Sequence, residues 1–160
     1  MAETTSDPDV HLIVDGQRVN ATSTGEQVYR FELPAAPATL VIGSRSVTPA
    51  DMDAQALDAR RLGVSFTRMV LRSRGAQVEI GHDHPLLVEG FHAHEESHRW
   101  TNGAGAIPAQ LLGALAGPVQ VELHIAALAT QYQKPFEAPA RKAAKSSSRR
   151  RSAGKLQLGA

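Results

Sequence analysis

The sequence predicts an all-β fold, organised as a single antiparallel β-sandwich or jelly-roll-like domain with a disordered C-terminal tail. Apolar and polar residues alternate with a period of two along most of the chain, which is the pattern of half-buried strands. Gly, Pro, Asn and Asp separate these runs, and about eight short strands divided by such turns are typical of sandwiches and barrels. The length of 160 residues is enough for one domain with one core.

The first two strands are predicted by a hairpin signal. Residues 10–14 and 17–19 lie on either side of Asp15-Gly16, and an Asp-Gly pair between apolar runs favours a tight β-turn. Later strands are predicted at residues 28–33, 39–43, 62–71, 76–80, 100–101, 105–108 and 119–125, with one helical turn after Thr48-Pro49 and another within 110–115. The alternation is clearest at 119–125.

Composition limits the compartment and the chemistry. The chain has no cysteine, which excludes disulfides, thiolate zinc sites and cysteine nucleophiles. Residues 1–9 are acidic and lack an apolar segment, so they are not a signal peptide, and no apolar run approaches the roughly 18 residues of a membrane span. We expect a cytoplasmic protein with a flexible N-terminus at 1–8, a β-sandwich domain at 9–134 and a tail at 135–160.

The predicted tail differs from the body in charge. Residues 135–160 contain seven Lys or Arg and one Glu, whereas residues 1–134 contain ten Lys or Arg against fifteen Asp or Glu. Ala, Pro and Ser replace the apolar periodicity, which predicts a disordered basic tail. Such a tail can meet an acidic surface or a nucleic acid through counterion release, although no aromatic residue interleaves the charges at 141–155. The alternative is a solvated tail that only adds solubility.

Histidines are concentrated around the run 90–103. Five of the seven lie within residues 82–98: His82, His84, His92, His94 and His98. His94-Glu95-Glu96-Ser97-His98 matches the HExxH pattern, in which two imidazoles on one helix face bind zinc and the glutamate activates water. That chemistry needs a helix, but neither flank has a 3.6-residue apolar pattern. Glu122 and His124, the downstream candidates for a third ligand, fall on the outward phase of a predicted strand.

Three interpretations of these histidines remain open. A zinc-dependent hydrolase would use His94, Glu95 and His98. Non-catalytic metal binding, with zinc as the cofactor, would use His82, His84, His92, His94 and His98. The third interpretation is a polar loop without a metal. No other catalytic residues are predicted, because neither Gly-x-Ser-x-Gly nor a glycine-rich phosphate loop occurs.

Several separated segments form a recognisable series. They are residues 9–16, residues 41–46 with Pro49, residues 58–64, Gly90-Phe91-His92 with Glu95, Arg99-Trp100-Thr101-x-Gly103, and Ile107-Pro108. Together they resemble a poorly characterised β-rich accessory module of bacterial proteins, often found C-terminal to a Hint (hedgehog/intein) domain or attached to glycosyltransferase-type proteins. The resemblance implies an accessory domain without chemistry of its own. The Hint domain itself is absent, since the chain has no cysteine nucleophile, no Thr-x-x-His block and no terminal His-Asn pair.

The resemblance also singles out positions within 90–103. The matching residues are Gly90, His92, Glu95, Arg99, Trp100, Thr101 and Gly103, whereas His94 and His98 are not among them. The two glycines supply freedom in φ, Glu95 is expected to pair with Arg99, and Trp100 either stacks on a sugar ring or fills the core. We therefore expect a non-enzymatic accessory module that binds a glycan or a protein partner through this loop. Its ligand-binding residues would be His92, Glu95, Arg99 and Trp100.

Overall fold

The computed structural model describes residues 4–53, 55–129 and 131–133. The strands in this part of the chain are β1 (Thr4–Thr5), β2 (His11–Val14), β3 (Gln17–Val19), β4 (Ser23–Gly25), β5 (Val28–Leu33), β6 (Leu40–Gly43), β7 (Val64–Ser73), β8 (Ala76–Gly81), β9 (Arg99–Trp100), β10 (Ala104–Ile107), β11 (Val119–Leu128) and β12 (Tyr132–Gln133). The all-β prediction is confirmed. The predicted basic tail at 135–160 lies outside the described residues.

Two antiparallel sheets form the body of the domain. The smaller has the strand order β10-β6-β2-β3, and the larger has the order β4-β5-β11-β7-β8, with β9 also paired to β7. Their inner faces contribute to one core, in which Leu12 and Ile42 of the smaller sheet are buried together with Phe31, Leu71 and Leu123 of the larger. The domain is an antiparallel sandwich, because alternate side chains of both sheets point into a shared interior.

β11 is the central strand of the larger sheet and pairs with both β5 and β7. Its alternation places Val119, Val121 and Leu123 in the core with at most 1% of each exposed. Each such side chain contributes about 1.5–3 kcal/mol by leaving water. The register against β7 shifts next to His124, and this bulge lets the hydroxyl of Thr67 donate to the His124 carbonyl at 3.0 Å.

The predicted hairpin at Asp15-Gly16 is confirmed. Asp15 and Gly16 have φ values of +50° and +86°, the left-handed pair that matches the twist of two antiparallel strands. The carboxylate of Asp15 also accepts the backbone N–H groups of Ala38 and Thr39, both at 2.9 Å. The turn is therefore fixed by its own backbone and by the segment leading into β6.

The helical elements are short. An α-helical turn, α1, spans Pro49–Met52, and a 3₁₀ helix spans Ala109–Leu111, so both predicted helical turns are found, the second slightly earlier than expected. Proline suits the first position of α1, since its missing N–H would have no partner there. Over the described ranges, no helix has the length and apolar character needed to cross a membrane.

The two ends of the described chain meet. The sequence predicted no element within 1–8, but Thr4–Thr5 forms β1 and pairs antiparallel with Tyr132–Gln133 of β12. Tyr132 is fully buried, and its hydroxyl donates to the Gly63 carbonyl at 2.8 Å. Two-residue strands carry no periodicity of their own, so only this tertiary pairing reveals them.

Candidate functional site

The segment between β8 and β10 contains every residue that the sequence predicted for ligand or metal binding. It ends by returning along β7 as β9. The His92 N–H donates to the Trp100 carbonyl at 2.9 Å, and the Glu95 N–H donates to the His98 carbonyl at 2.7 Å. These two bonds make residues 92–100 a narrow, closed loop.

Thr101 anchors the base of this loop. Its side chain is completely buried, and its hydroxyl oxygen accepts the N–H groups of Val64 and Gly103, both at 3.2 Å. Its own N–H donates to the Val64 carbonyl, and its carbonyl accepts the Gly63 N–H at 2.7 Å. A Cβ atom on Gly63 would lie 2.5 Å from the Gly103 nitrogen, so the approach requires glycine.

Gly90 and Gly103 flank the loop, one on each side. Both have positive φ, +82° and +105°, as expected for glycines that supply conformational freedom. A Cβ on Gly90 would come within 2.7 Å of the Ala104 carbonyl carbon, and the Gly90 carbonyl accepts the Asn102 N–H at 2.9 Å. Backbone contacts therefore leave no room for a side chain at Gly90, whereas at Gly103 the positive φ is what disfavours one.

Arg99 is buried, with 8% of the residue exposed. Its Cα partner on β7 is Phe66, a core residue, and paired residues share a face of the sheet. Its Nη1 donates to the Leu87 carbonyl at 2.6 Å and lies 3.5 Å from the His84 carbonyl. Its Nε has no hydrogen-bond partner in the described structure, and burial lowers the pKa of the guanidinium.

These contacts correct two expectations about Arg99. Its guanidinium holds the preceding turn and has little surface to offer a ligand. It does not pair with Glu95, so that prediction is wrong; the Glu95 carboxylate contacts Arg60 and His98. The spacing of four residues brings two side chains together on a helix, whereas here the second residue starts a strand whose alternation turns it inward.

Trp100 points to the face opposite Arg99 and remains partly exposed. Its Cα partner is Ser65, whose hydroxyl is buried without a hydrogen-bond partner in the described structure. The indole meets the His98 ring edge to face, with ring centroids 6.4 Å apart. Trp100 is not part of the central core, so the volume-filling interpretation does not hold.

A row of polar side chains extends from Trp100. His98 Nε2 lies 3.4 Å from one oxygen of Glu95, and Nη1 of Arg60 lies 3.6 Å from the other. Arg60 in turn holds Asp58 through two parallel bonds of 3.0 and 2.9 Å. These hydrogen bonds from Arg60 lower the pKa of Asp58 to about 2.

His92 connects this row to the body of the domain. Its Nε2 lies 2.7 Å from the Arg61 carbonyl and must donate, since a carbonyl oxygen only accepts, so Nδ1 is the free acceptor of the neutral ring. The side chains thus brought together are Asp58, Arg60, His92, Glu95, His98 and Trp100, which we call the loop site. Three of the four predicted ligand-binding residues belong to it, namely His92, Glu95 and Trp100.

The HExxH segment does not have the geometry that its zinc chemistry needs. Residues 92–98 contain no helix, so His94 and His98 do not share a helix face. The ring of His94 packs edge to face against His82, with centroids 6.1 Å apart, and His84 accepts an N–H of its own turn at 3.1 Å. Among residues 4–53, 55–129 and 131–133, no three His, Cys, Asp or Glu side chains are grouped to hold a metal ion.

Ser97, His98 and Glu95 are the three residue types of a serine-hydrolase triad, and His98 lies between the other two. The Ser97 hydroxyl lies 3.4 Å from His98 Nδ1, and Glu95 lies 3.4 Å from His98 Nε2. Both distances exceed the roughly 2.6–3.2 Å reach of a nucleophile and its base, and Ser97 is exposed to water.

Sequence reasoning missed two members of the loop site. Asp58 and Arg60 form an ion pair with each other, but nothing in the sequence placed them beside the loop. The contact that brings them there joins the His92 side chain to the main-chain carbonyl of Arg61. A main-chain acceptor is present at every residue, so the sequence does not reveal which one is used. The assembled site combines one partly exposed indole with hydrogen-bond donors and acceptors on a fixed base. Comparisons with protein-family models, with curated proteins and with solved structures find no match for the chain.

Proposed function

We propose that this chain is a non-enzymatic binding module that holds a glycan on the loop site. The observation that carries the proposal is the position of Trp100, a partly exposed indole beside a row of mutually paired polar side chains. The resemblance of the chain to accessory modules of bacterial Hint and glycosyltransferase-type proteins supports a binding role. The absence of cysteine suits a cytoplasmic location.

A sugar ring matches this combination of groups. One face of a pyranose presents C–H bonds, and its rim presents hydroxyls that both donate and accept hydrogen bonds. An aromatic side chain with a polar neighbour complements such a ligand. Glu95 supplies acceptors, Arg60 supplies donors, and His92 Nδ1 supplies an acceptor fixed by the Arg61 contact.

The composition of the site favours a glycan over a protein partner. Trp100 is its single large apolar side chain, and the other five members carry polar or charged groups. A specific protein interface buries roughly 1,000 Å² or more, with an apolar centre depleted of charges. The loop site is too polar at its centre for that role.

Rigidity strengthens the proposal. Thr101, Gly90 and Gly103 fix the base, and the bond between the His92 N–H and the Trp100 carbonyl closes the loop. Ligand binding therefore costs little free energy for ordering the loop, because the loop is already fixed. Single-sugar affinity is expected at a Kd of about 0.1–1 mM, as for a small polar contact area.

The test is a glycan-array screen of the full chain with matched variants. Trp100→Ala removes the aromatic contact and Glu95→Gln removes the charge, whereas Glu32→Gln makes the same chemical change on an exposed residue of β5. At least one class of glycan should be retained by the wild type and by Glu32→Gln but lost from Trp100→Ala and Glu95→Gln. Circular dichroism confirms that all variants are folded.

Two results would contradict the proposal. The first is a wild-type chain that retains no glycan on the array. The second is retention that persists in both Trp100→Ala and Glu95→Gln, because the glycan would then bind elsewhere. A titration by isothermal calorimetry with the retained glycan checks the affinity directly.

A further inference from the structure

β8 forms one edge of the larger sheet. It pairs with residues 68–73 of β7, whereas β9 occupies the same side of β7 at Ser65 and Phe66. In the described ranges no strand lies against the other side of β8. One row of its backbone groups therefore faces outward.

The alternation of hydrogen-bonded pairs between β8 and β7 identifies these outward-facing groups. The His82 N–H bonds to the Thr67 carbonyl, which continues the β8–β7 register, and hydrogen-bonded pairs alternate along an antiparallel ladder. Ala76, Val78 and Ile80 thus bond to β7, and Gln77 and Glu79 direct their N–H and C=O groups away from the sheet. Neither of these two residues has a backbone partner elsewhere in the described structure.

The side chains of β8 divide cleanly between the two faces. Val78 and Ile80 pair with Leu71 and Met69 on the core side. Gln77 and Glu79 lie on the outer face, where each is held by an arginine of β7. Arg72 Nε donates to the Gln77 Oε1 at 3.3 Å, and Arg68 Nη1 donates to Glu79 Oε2 at 2.7 Å.

β8 lacks three of the devices that commonly protect an edge, and its one charged side chain, Glu79, is already paired with Arg68. Its sequence Ala-Gln-Val-Glu-Ile-Gly contains neither Pro nor Lys, and its register against β7 shows no bulge. Natural edge strands commonly use such features to avoid pairing with another chain. Their absence from a six-residue edge suggests that the edge has a use.

We propose that β8 is a self-association edge, at which a second copy of this chain adds antiparallel and extends the larger sheet across a two-fold axis at Val78. In this register Gln77 lies opposite Glu79 of the second copy, Val78 opposite its counterpart, and Ala76 opposite Ile80. The outward groups of Gln77 and Glu79 then form about four backbone hydrogen bonds. Apolar residues meet on the core side and polar residues meet on the outer face.

Charge complementarity selects this register and this partner. The side-chain oxygen of Gln77, Oε1, already accepts from Arg72, so the side-chain NH₂ group is free to donate to the Glu79 carboxylate of the second copy. A register centred on Glu79 would place two carboxylates directly opposite each other, which is destabilising. It would also use the Gly81 carbonyl, which already accepts the His84 N–H at 3.2 Å.

The contact is short, so the association is weak. A six-residue strand pair buries less than the roughly 1,000 Å² typical of a stable interface. A Kd of about 0.1–1 mM is expected for the dimer. Sedimentation velocity of the full chain between about 10 μM and 1 mM covers that range.

The variants separate pairing from folding. Gln77→Glu adds a favourable contact with Arg72 inside one chain but opposes two carboxylates between copies, so it should weaken the dimer at least tenfold without unfolding the protein. Gln120→Glu controls for the added charge, because Gln120 also faces Arg72 but lies on the central strand, with Glu32 of β5 on its other side. Adding Glu79→Gln to Gln77→Glu exchanges the two groups and should restore association.

Concentration-dependent dimers of the wild type and of Gln120→Glu, lost in Gln77→Glu and regained in the double variant, support the proposal. A wild type that stays monomeric up to about 1 mM overturns it. So does a dimer that Gln77→Glu leaves unchanged, since the contact would then lie elsewhere. A monomer whose β8 amide signals respond only to an added extended peptide would assign the edge to a different partner and would also overturn self-pairing.

Discussion

Tyr132 donates its hydroxyl proton to the carbonyl of Gly63 at 2.8 Å across 69 residues of sequence. The same oxygen accepts the Ala129 N–H at 3.0 Å, so one side chain joins the end of the described chain to the base of the loop. Burial raises the pKa of Tyr132, because the charged phenolate is disfavoured in the core.

The stability of the fold should therefore decline in alkali. A raised pKa means that the stabilisation is complete below the ordinary tyrosine value, near pH 10, and is lost as pH rises through the folded value. Tyr132→Phe should cost about 1 kcal/mol at neutral pH and flatten the decline above roughly pH 10. Urea unfolding from pH 7 to 11 measures both effects. Tyr29→Phe is the control, since Tyr29 is less buried; an equal flattening in that variant would contradict the assignment to Tyr132.

Thr101→Val tests the buried hydroxyl at the base of the loop. The substitution keeps the side-chain shape but leaves the N–H groups of Val64 and Gly103 without their acceptor. We expect a loss of about 2–4 kcal/mol in the free energy of unfolding, since each orphaned donor costs about 1–3 kcal/mol. Thr101→Ser retains the acceptor and should cost clearly less. Equal losses in the two variants would mean that the hydroxyl has no special role.

Gly63→Ala tests the close approach of two backbone segments. The added methyl group would meet the Thr101 hydroxyl and the Gly103 nitrogen, and backbone cannot move aside as a flexible side chain can. We expect destabilisation of about 2 kcal/mol or more, with perturbed loop-site resonances in NMR spectra. Gly113→Ala is the matched control, because a Cβ there meets nothing within 4 Å, and it should be neutral or slightly stabilising. Similar stabilities for both variants would refute the packing argument.

The titration of Asp58 tests the polar row of the loop site. Hydrogen bonds from Arg60 hold the pKa of Asp58 at about 2, below the ordinary value of 3.8. The contribution of the Asp58 carboxylate to the stability of the fold is thus present above about pH 4 and is lost as pH falls towards 2. Carbon-detected NMR should give a midpoint near 2 that rises towards 3.8 in Arg60→Met. Arg61→Met should leave it unchanged, because that guanidinium bonds to Ser46 instead.

Strong periodicity made most of the fold predictable. β5 occupies the predicted residues 28–33, and β8 and β11 begin at the predicted residues 76 and 119. These strands alternate apolar and polar side chains over six or more residues, and the two faces of a sheet impose that pattern. β12, of two residues, has too little sequence to carry it, and β9 begins one residue before the strand that was predicted at 100–101.

The loop site was only partly predictable, because its geometry depends on main-chain contacts. His92 and Glu95 were expected at a surface loop and are found there. Arg99 was expected beside them, but a two-residue strand turns its charged side chain into the core, where its apolar stem packs and carbonyls bind its head. Charge alone gave no indication of that orientation.

The closed base of the loop makes its tip exchangeable. The bonds that hold Thr101, Gly90 and Gly103 involve nothing between residues 93 and 97, whose side chains are exposed. New residues at these positions should leave the sandwich intact, much as variable loops do on an immunoglobulin frame. The domain is thus a ready starting point for libraries of engineered binders, in which specificity is diversified at the tip while folding is left to the anchors.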